Sequence, residues 1–191
     1  MSLQIPVNRA MNRIHIVGRK NHGKTCLVVE LVEELTACGW RVGTIKHTHH
    51  RHELDSPGKD SHRHRTAGAA IVGILARNMT ALFLPNEHSI GRYADRYSEL
   101  DAIFETCDVV IVEGDTEADA PKVEVWRADL GTEPLAKTDD SILAVVTDDP
   151  IDILTPVRSR SDIVDLANWI MSTVRESGAS RVLCEVPKGR R

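Results

Sequence analysis

Residues 13–25 read Arg13-Ile14-His15-Ile16-Val17-Gly18-Arg19-Lys20-Asn21-His22-Gly23-Lys24-Thr25, and this stretch decides the fold. Arg13 to Val17 alternates and is rich in β-branched residues, which predicts a strand. Gly18 to Thr25 fits GxxxxGK[ST] at every fixed position. From Thr25 to Cys38 the apolar residues Leu27, Val28, Leu31, Val32 and Leu35 mark one face of a helix closed by Gly39. Strand, glycine-framed loop and helix in this order are the context of a phosphate-binding loop. Four intervening residues let the backbone N–H groups wrap a phosphate, and the helix N-terminus adds partial positive charge. The expected phosphate-binding set is Gly18, Arg19, Lys20, Asn21, His22, Gly23, Lys24, Thr25 and Cys26. Lys24 would bring its charge to the terminal phosphates and Thr25 its hydroxyl to Mg²⁺.

Outward from this loop the chain continues as alternating strands and helices. Arg41 to His47 is the next strand, and a polar loop with Asp55, Pro57 and Gly58 leads to a short helical stretch near Asp60 to Ala67. Ala69 to Ala76 and Met79 to Leu84 read as a hairpin turning at Arg77 and Asn78. Ile90 to Phe104 is helical by spacing. Asp108 to Val112 is a near-continuous apolar run, the mark of a strand covered on both faces. Lys122 to Trp126 and Ser141 to Thr147 are further strands, and Asp162 to Val174 is a final helix. The pattern predicts an α/β fold with a mostly parallel sheet. The expected organisation is a flexible segment at 1–12, one nucleotide-binding domain at 13–175, and a mobile tail at 176–191.

Composition narrows the classes. The chain has 191 residues, of which 41% are hydrophobic and 27% charged, so a single globular domain with a real core is expected. No apolar run approaches the roughly 20 residues of a membrane span. Residues 1–12 lack the apolar segment of a secretory signal, which makes the cytoplasm the expected compartment. Cys26, Cys38, Cys107 and Cys184 form no CxxC pair, which argues against a zinc ribbon or a disulfide framework. They are expected to be small buried residues. A net charge of −4 and only three Trp, two Tyr and two Phe argue against a nucleic-acid or membrane binder.

The average hides a segregation. Residues 41–66 carry six Lys/Arg and six histidines, whereas residues 105–120 carry six acids and no base. A phosphate loop needs a carboxylate at the end of a buried strand to hold Mg²⁺, directly or through water, and Glu113 is the candidate with that context. Asp108 lies at the other end of the same strand. The segment from Lys46 to Asp60 is expected to leave the second strand on the phosphate-loop edge, where open α/β sheets bind ligands. Lys46, Lys59 and Arg63 would there meet an anion.

The histidines at 47, 49, 50 and 52 also admit a metal site or a plain solvated loop.

GRKNHGKT (18–25), IKHTHH (45–50), DSPGKDSHRHRTAGAA (55–70), VEG (112–114) and PKVEVWR (121–127) occur in an order and spacing that resembles the molybdopterin-guanine dinucleotide biosynthesis protein B family, MobB. The resemblance spans about residues 13–175. It implies a three-layer P-loop NTPase fold with a β-hairpin extension. It further implies a homodimer that binds GTP with Mg²⁺, hydrolyses it weakly, and assists a MobA-type guanylyltransferase acting on molybdopterin. By position it implies that Lys24 and Glu113 carry any catalytic role, that Thr25 and Glu113 hold Mg²⁺, and that Lys46, Lys59 and Asp60 line the ligand pocket. Asp148 stands where related GTPases place a base-reading carboxylate. Two departures are the bulky loop interior, Arg19 to His22, and Asp115-Thr116 where the family has an aromatic and a lysine. The competing classes are a P-loop small-molecule or nucleotide kinase with Arg63 and Arg65 in a lid, and a metal-delivery module built on the histidines.

Overall fold

The structure is a computed structural model describing residues 11–48, 50, 53–84 and 97–183, with side chains up to Glu176. The described chain forms two compact units rather than one. The first holds the residues up to Thr48 and from Tyr97 onward, and the second holds the stretch between them.

The first unit is an open parallel sheet. Its strands are β1 (Arg13–Val17), β2 (Val42–Lys46), β5 (Val109–Glu113), β6 (Lys122–Val125), β7 (Ile142–Val146) and β8 (Val157–Arg158). They lie in the order β2-β5-β1-β6-β7-β8, and every pair is parallel. Helix α1 (Lys24–Ala37) makes the crossover from β1 to β2, as parallel strands require. Its buried residues Leu27, Val28, Leu31 and Leu35 form the stripe predicted from spacing. That stripe packs with Ile14, Ile16, Val109 and Ile111 of the sheet and with Leu166, Ile170 and Val174 of α4 (Ile163–Leu183). Each such side chain, fully buried, contributes about 1.5–3 kcal/mol. The opposite face is covered by Met11 and Tyr97 against Val110 and Val112, with Leu100 and Phe104 of the stretch before β5 packed alongside.

The second unit contains α2 (Asp60–Thr66) and the antiparallel hairpin β3 (Val72–Leu75) and β4 (Thr80–Phe83), in register from Val72↔Phe83 to Leu75↔Thr80. Among the described residues its two strands pair with each other and not with the large sheet. Within it Glu53 bonds Arg65 at 2.5 Å and Asp55 accepts from Ser61 at 3.0 Å.

Several expectations are corrected. The helix read over 90–104 falls partly outside the described residues, and the described part is a 3₁₀ turn (Ser98–Leu100) followed by the short α3 (Asp101–Phe104). Buried Asp101 is occupied in accepting the Met11 N–H at 2.9 Å. The last helix does not end near Val174 but runs to Leu183, through Gly178, which a helix tolerates at a cost of about 1 kcal/mol. Cys26 and Cys38 are exposed and Cys107 is half-buried: Cys26 falls off the apolar stripe of α1, and Cys38 stands at the C-terminal cap of that helix. Cys184 lies outside the described residues. Strand β8, two residues long, is too short for an alternation to reveal.

Candidate functional site

The central position of β1 puts the loop 18–23 at the carboxyl edge of the sheet, between the ends of β5 and β6. Two backbone features shape it. Gly18 has φ +136°, and a Cβ there would stand 2.5 Å from the Val125 carbonyl oxygen, so only glycine fits. Asn21 has φ 69°, left-handed and tolerable for Asn. Gly23 then opens α1 at φ 93°, and its carbonyl accepts the Leu27 N–H at 3.0 Å.

Lys24 Nζ donates to the Gly18 carbonyl at 2.8 Å and to the Arg19 carbonyl at 2.7 Å, so its ammonium sits across the mouth of the loop. Burial pushes its pKa down, and Lys46 adds to this while Glu113 opposes it. Thr25 Oγ1 donates to Glu113 Oε1 at 2.7 Å, and Lys46 Nζ lies 3.6 Å from the same oxygen. The two residues named as Mg²⁺ ligands are therefore in contact although 88 positions apart in the chain. Hard oxygen donors beside a phosphate loop suit Mg²⁺, which takes one or two protein ligands and fills the rest with water and phosphate. Asp108 lies at the far end of β5, accepting the Arg41 N–H at 2.8 Å, and takes no part.

The basic and acidic segments thus meet at Lys46 and Glu113. Lys59 and Asp60 belong to the second unit, where Lys59 precedes α2 and Asp60 opens it, 3.9 Å from Arg63. Of the histidines, His49 and His52 lie outside the described residues. Among the described residues no group of three or more His, Cys, Asp or Glu is placed to hold a metal ion, and no helix is long and apolar enough to cross a membrane.

Asp148 follows β7 at the same edge, two strands from β1. Its Oδ1 accepts from Ser159 Oγ at 2.7 Å, from the Arg160 N–H at 2.7 Å and from the Ser161 N–H at 3.1 Å. The Ser159 hydroxyl bond, followed by the backbone donors, holds its pKa below the ordinary carboxylate value. The same short segment reaches α1 through Arg160, bidentate to Glu30 at 2.6 and 2.7 Å. Sequence reading missed this shell. Its signal was the Ser159-Arg160-Ser161-Asp162 run ahead of an apolar helical register, a helix-start pattern.

Of the departures from the MobB pattern, Asp115, His22 and Arg19 are bonded into the protein. Asp115 is 5% exposed and accepts from Tyr97 Oη at 2.7 Å and from the Glu117 N–H at 3.1 Å. Lys122 is buried against Asp139 and Ser141, at 3.2 and 2.8 Å. The His22 ring is 1% exposed and bonded to the segment after β6. Arg19 Nε donates to the Glu133 carbonyl at 3.3 Å, and Lys20 is exposed.

Comparison with known proteins identifies the family. Residues 13–148 match the model of the family described as molybdopterin guanine dinucleotide synthesis protein B. The chain is 32% identical over 176 residues to the molybdopterin-guanine dinucleotide biosynthesis adapter protein of Haemophilus influenzae, covering 89% of this chain and 92% of that one. With the adapter protein of that name from Escherichia coli it is 31% identical over 157 residues, covering 81% and 88%. The crystal structure of a MobB homologue from Bacillus stearothermophilus superposes with TM-score 0.57 at 26% identity, covering 87% of this chain and 99% of that one. Bacillus subtilis MobB, at 23% identity and TM-score 0.62 over 84% and 96%, shares the fold. With a phosphate loop, a facing strand-end glutamate and this match across most of its length, the chain belongs to the molybdopterin guanine dinucleotide synthesis protein B family.

Proposed function

We propose that the protein binds GTP with Mg²⁺ at the carboxyl edge of the sheet and serves as an adapter in the synthesis of molybdopterin guanine dinucleotide. In this role it acts as a cytoplasmic homodimer, presenting nucleotide to a MobA-type guanylyltransferase that acts on molybdopterin. The observation that carries the reading is the contact of Thr25 with Glu113 directly beside Lys24. The names of the relatives supply the pathway.

Each residue has a chemical part. The N–H groups of the loop from Gly18 to Cys26 cradle the phosphates, and Lys24 exchanges two carbonyl partners for phosphate oxygens. Thr25 and Glu113 hold the metal, which supplies charge neutralisation at the terminal phosphates. Lys46, beside Glu113, adds a cation to the same edge. Asp148 accepts from the guanine N1–H and exocyclic amine, donors that adenine does not present at those positions. Hydrolysis is weak and incidental to presentation.

The test is a reconstituted guanylyl transfer. Adding the protein to a MobA-type enzyme, molybdopterin and Mg²⁺-GTP is expected to raise dinucleotide yield severalfold, and the Lys24→Ala variant is expected to add nothing. Equal stimulation by both proteins would refute a nucleotide-dependent adapter role.

A further inference from the structure

The imidazole of His22 has a partner on each nitrogen. Nδ1 lies 3.0 Å from the backbone nitrogen of Arg127, which can only donate, so Nδ1 accepts. A neutral ring then carries its proton on Nε2, which lies 3.0 Å from Thr132 Oγ1 and donates to it. The ring is thus a bridge from the third residue before Thr25 to the segment that follows β6. That segment is fixed independently. Trp126 Nε1 donates to the Thr132 carbonyl at 2.8 Å, and buried Glu124 accepts the N–H groups of Leu135 and Ala136 at 2.7 and 2.9 Å. His22 therefore fastens the tip of the phosphate loop to a rigid abutment, next to the left-handed Asn21.

We infer that His22 is a positioning residue for phosphate binding, holding the loop in its phosphate-ready form only while the imidazole is neutral. This rests on the nucleotide-binding reading above and adds a side-chain role to it. A protonated ring has no acceptor for the Arg127 N–H, so the bridge breaks on that side. The charged groups around the ring are Lys24 and Arg19 on the loop side and Asp129 and Arg127 on the other. Burial lowers the pKa of His22 below 6.5, Lys24, Arg19 and Arg127 lower it further, and Asp129 alone opposes. The bridge is consequently intact at neutral pH and is lost as the medium is acidified through that lowered value. Glutamine offers an uncharged acceptor and donor that do not titrate in this range, so it substitutes for the neutral ring alone.

The experiment measures binding of Mg²⁺-GTP and of inorganic tripolyphosphate to the full chain, its His22→Gln variant and its His22→Ala variant, between about pH 7.5 and about pH 5. At neutral pH the Gln variant is expected to bind both probes within about threefold of the natural chain, and the Ala variant roughly tenfold or more weakly. Acid is expected to weaken the natural chain roughly tenfold more than the Gln variant, a comparison that cancels protonation of the phosphates themselves. Parallel pH profiles for the natural chain and the Gln variant, or Gln binding as weak as Ala at neutral pH, would overturn the inference while leaving nucleotide binding in place. Failure of the natural chain to bind either probe at any pH would overturn both.

Discussion

At the scale of single residues, Lys24 and Asp148 carry the sharpest expectations. The Lys24 ammonium already has two carbonyl partners, so in the proposed role a bound phosphate would have to replace bonds at 2.7–2.8 Å, which takes a strongly charged acceptor. Lys24→Ala is expected to weaken Mg²⁺-nucleotide binding by about two orders of magnitude, equal to about 2.8 kcal/mol, read by titration calorimetry. Its thermal midpoint should stay close to that of the natural chain, since the freed carbonyls lie at a loop open to water. Asp148 has a more particular consequence. Every donor in its shell lands on Oδ1, so in Asp148→Asn the amide oxygen must take that place and the amide nitrogen must stand where Oδ2 stood. An acceptor becomes a donor, and preference should pass from GTP to XTP, whose base carries a carbonyl where guanine has its amine. Competition binding that still favours GTP would remove Asp148 from base recognition. Neither the shell nor the His22 bridge was legible in the sequence, because each joins residues far apart in the chain through contacts that depend on strand order.

Among the elements, β1 combines the most constraints. One face, Ile14 and Ile16, was readable from alternation. The other carries His15, fully buried, with its ring edge-on to Tyr97 at 5.4 Å and Arg13 over the same Tyr ring at 4.4 Å. Burial first, then Arg13 and to a lesser degree Lys122, lower its pKa to about 4 against the raising influence of Asp115. Above pH 6.5 the ring is neutral in both folded and unfolded chains, and stability is complete. As pH falls from 6.5 to about 4 the unfolded chain takes up a proton that the folded one refuses, and stability drops by roughly 3 kcal/mol. Urea titrations across that range should show this loss, and His15→Phe should flatten it. The β1–loop junction gives a second test. Gly18→Ala sets a Cβ against the Val125 carbonyl and is expected to cost about 2–4 kcal/mol, seen as a lower urea midpoint with an unchanged slope. Strands β1, β5 and β7 were readable as apolar or alternating runs bounded by turns. In the described part of the helix read over 90–104 a 3₁₀ turn precedes α3, and spacing alone does not reveal that Tyr97 and Asp101 are committed to side-chain contacts.

Across the whole molecule, strand order converts a dispersed set of residues into one site. The order β2-β5-β1-β6-β7-β8 gathers Lys46, Glu113, the loop 18–25 and Asp148 at the same edge of the sheet. The α/β pattern foretold the parallel sheet, and the two motifs singled out by spacing, the loop 18–25 and Glu113, stand at one edge of it. The separate hairpin β3-β4 was legible as two short apolar runs around Arg77 and Asn78, whereas the compactness of a second unit was not, because length and composition do not report it. The same holds for charge: the net value of −4 conceals a pairing of the basic end of β2 with the acidic end of β5, realised at Lys46 and Glu113. The central claim, a Mg²⁺-dependent guanine-nucleotide site at this edge, is tested most directly by titration calorimetry of the natural chain with GTP and ATP, each with Mg²⁺ and with a chelator. GTP is expected to bind at least about tenfold more tightly than ATP, and only with Mg²⁺ at full affinity. Equal binding of the two nucleotides, or GTP affinity indifferent to Mg²⁺, would contradict it.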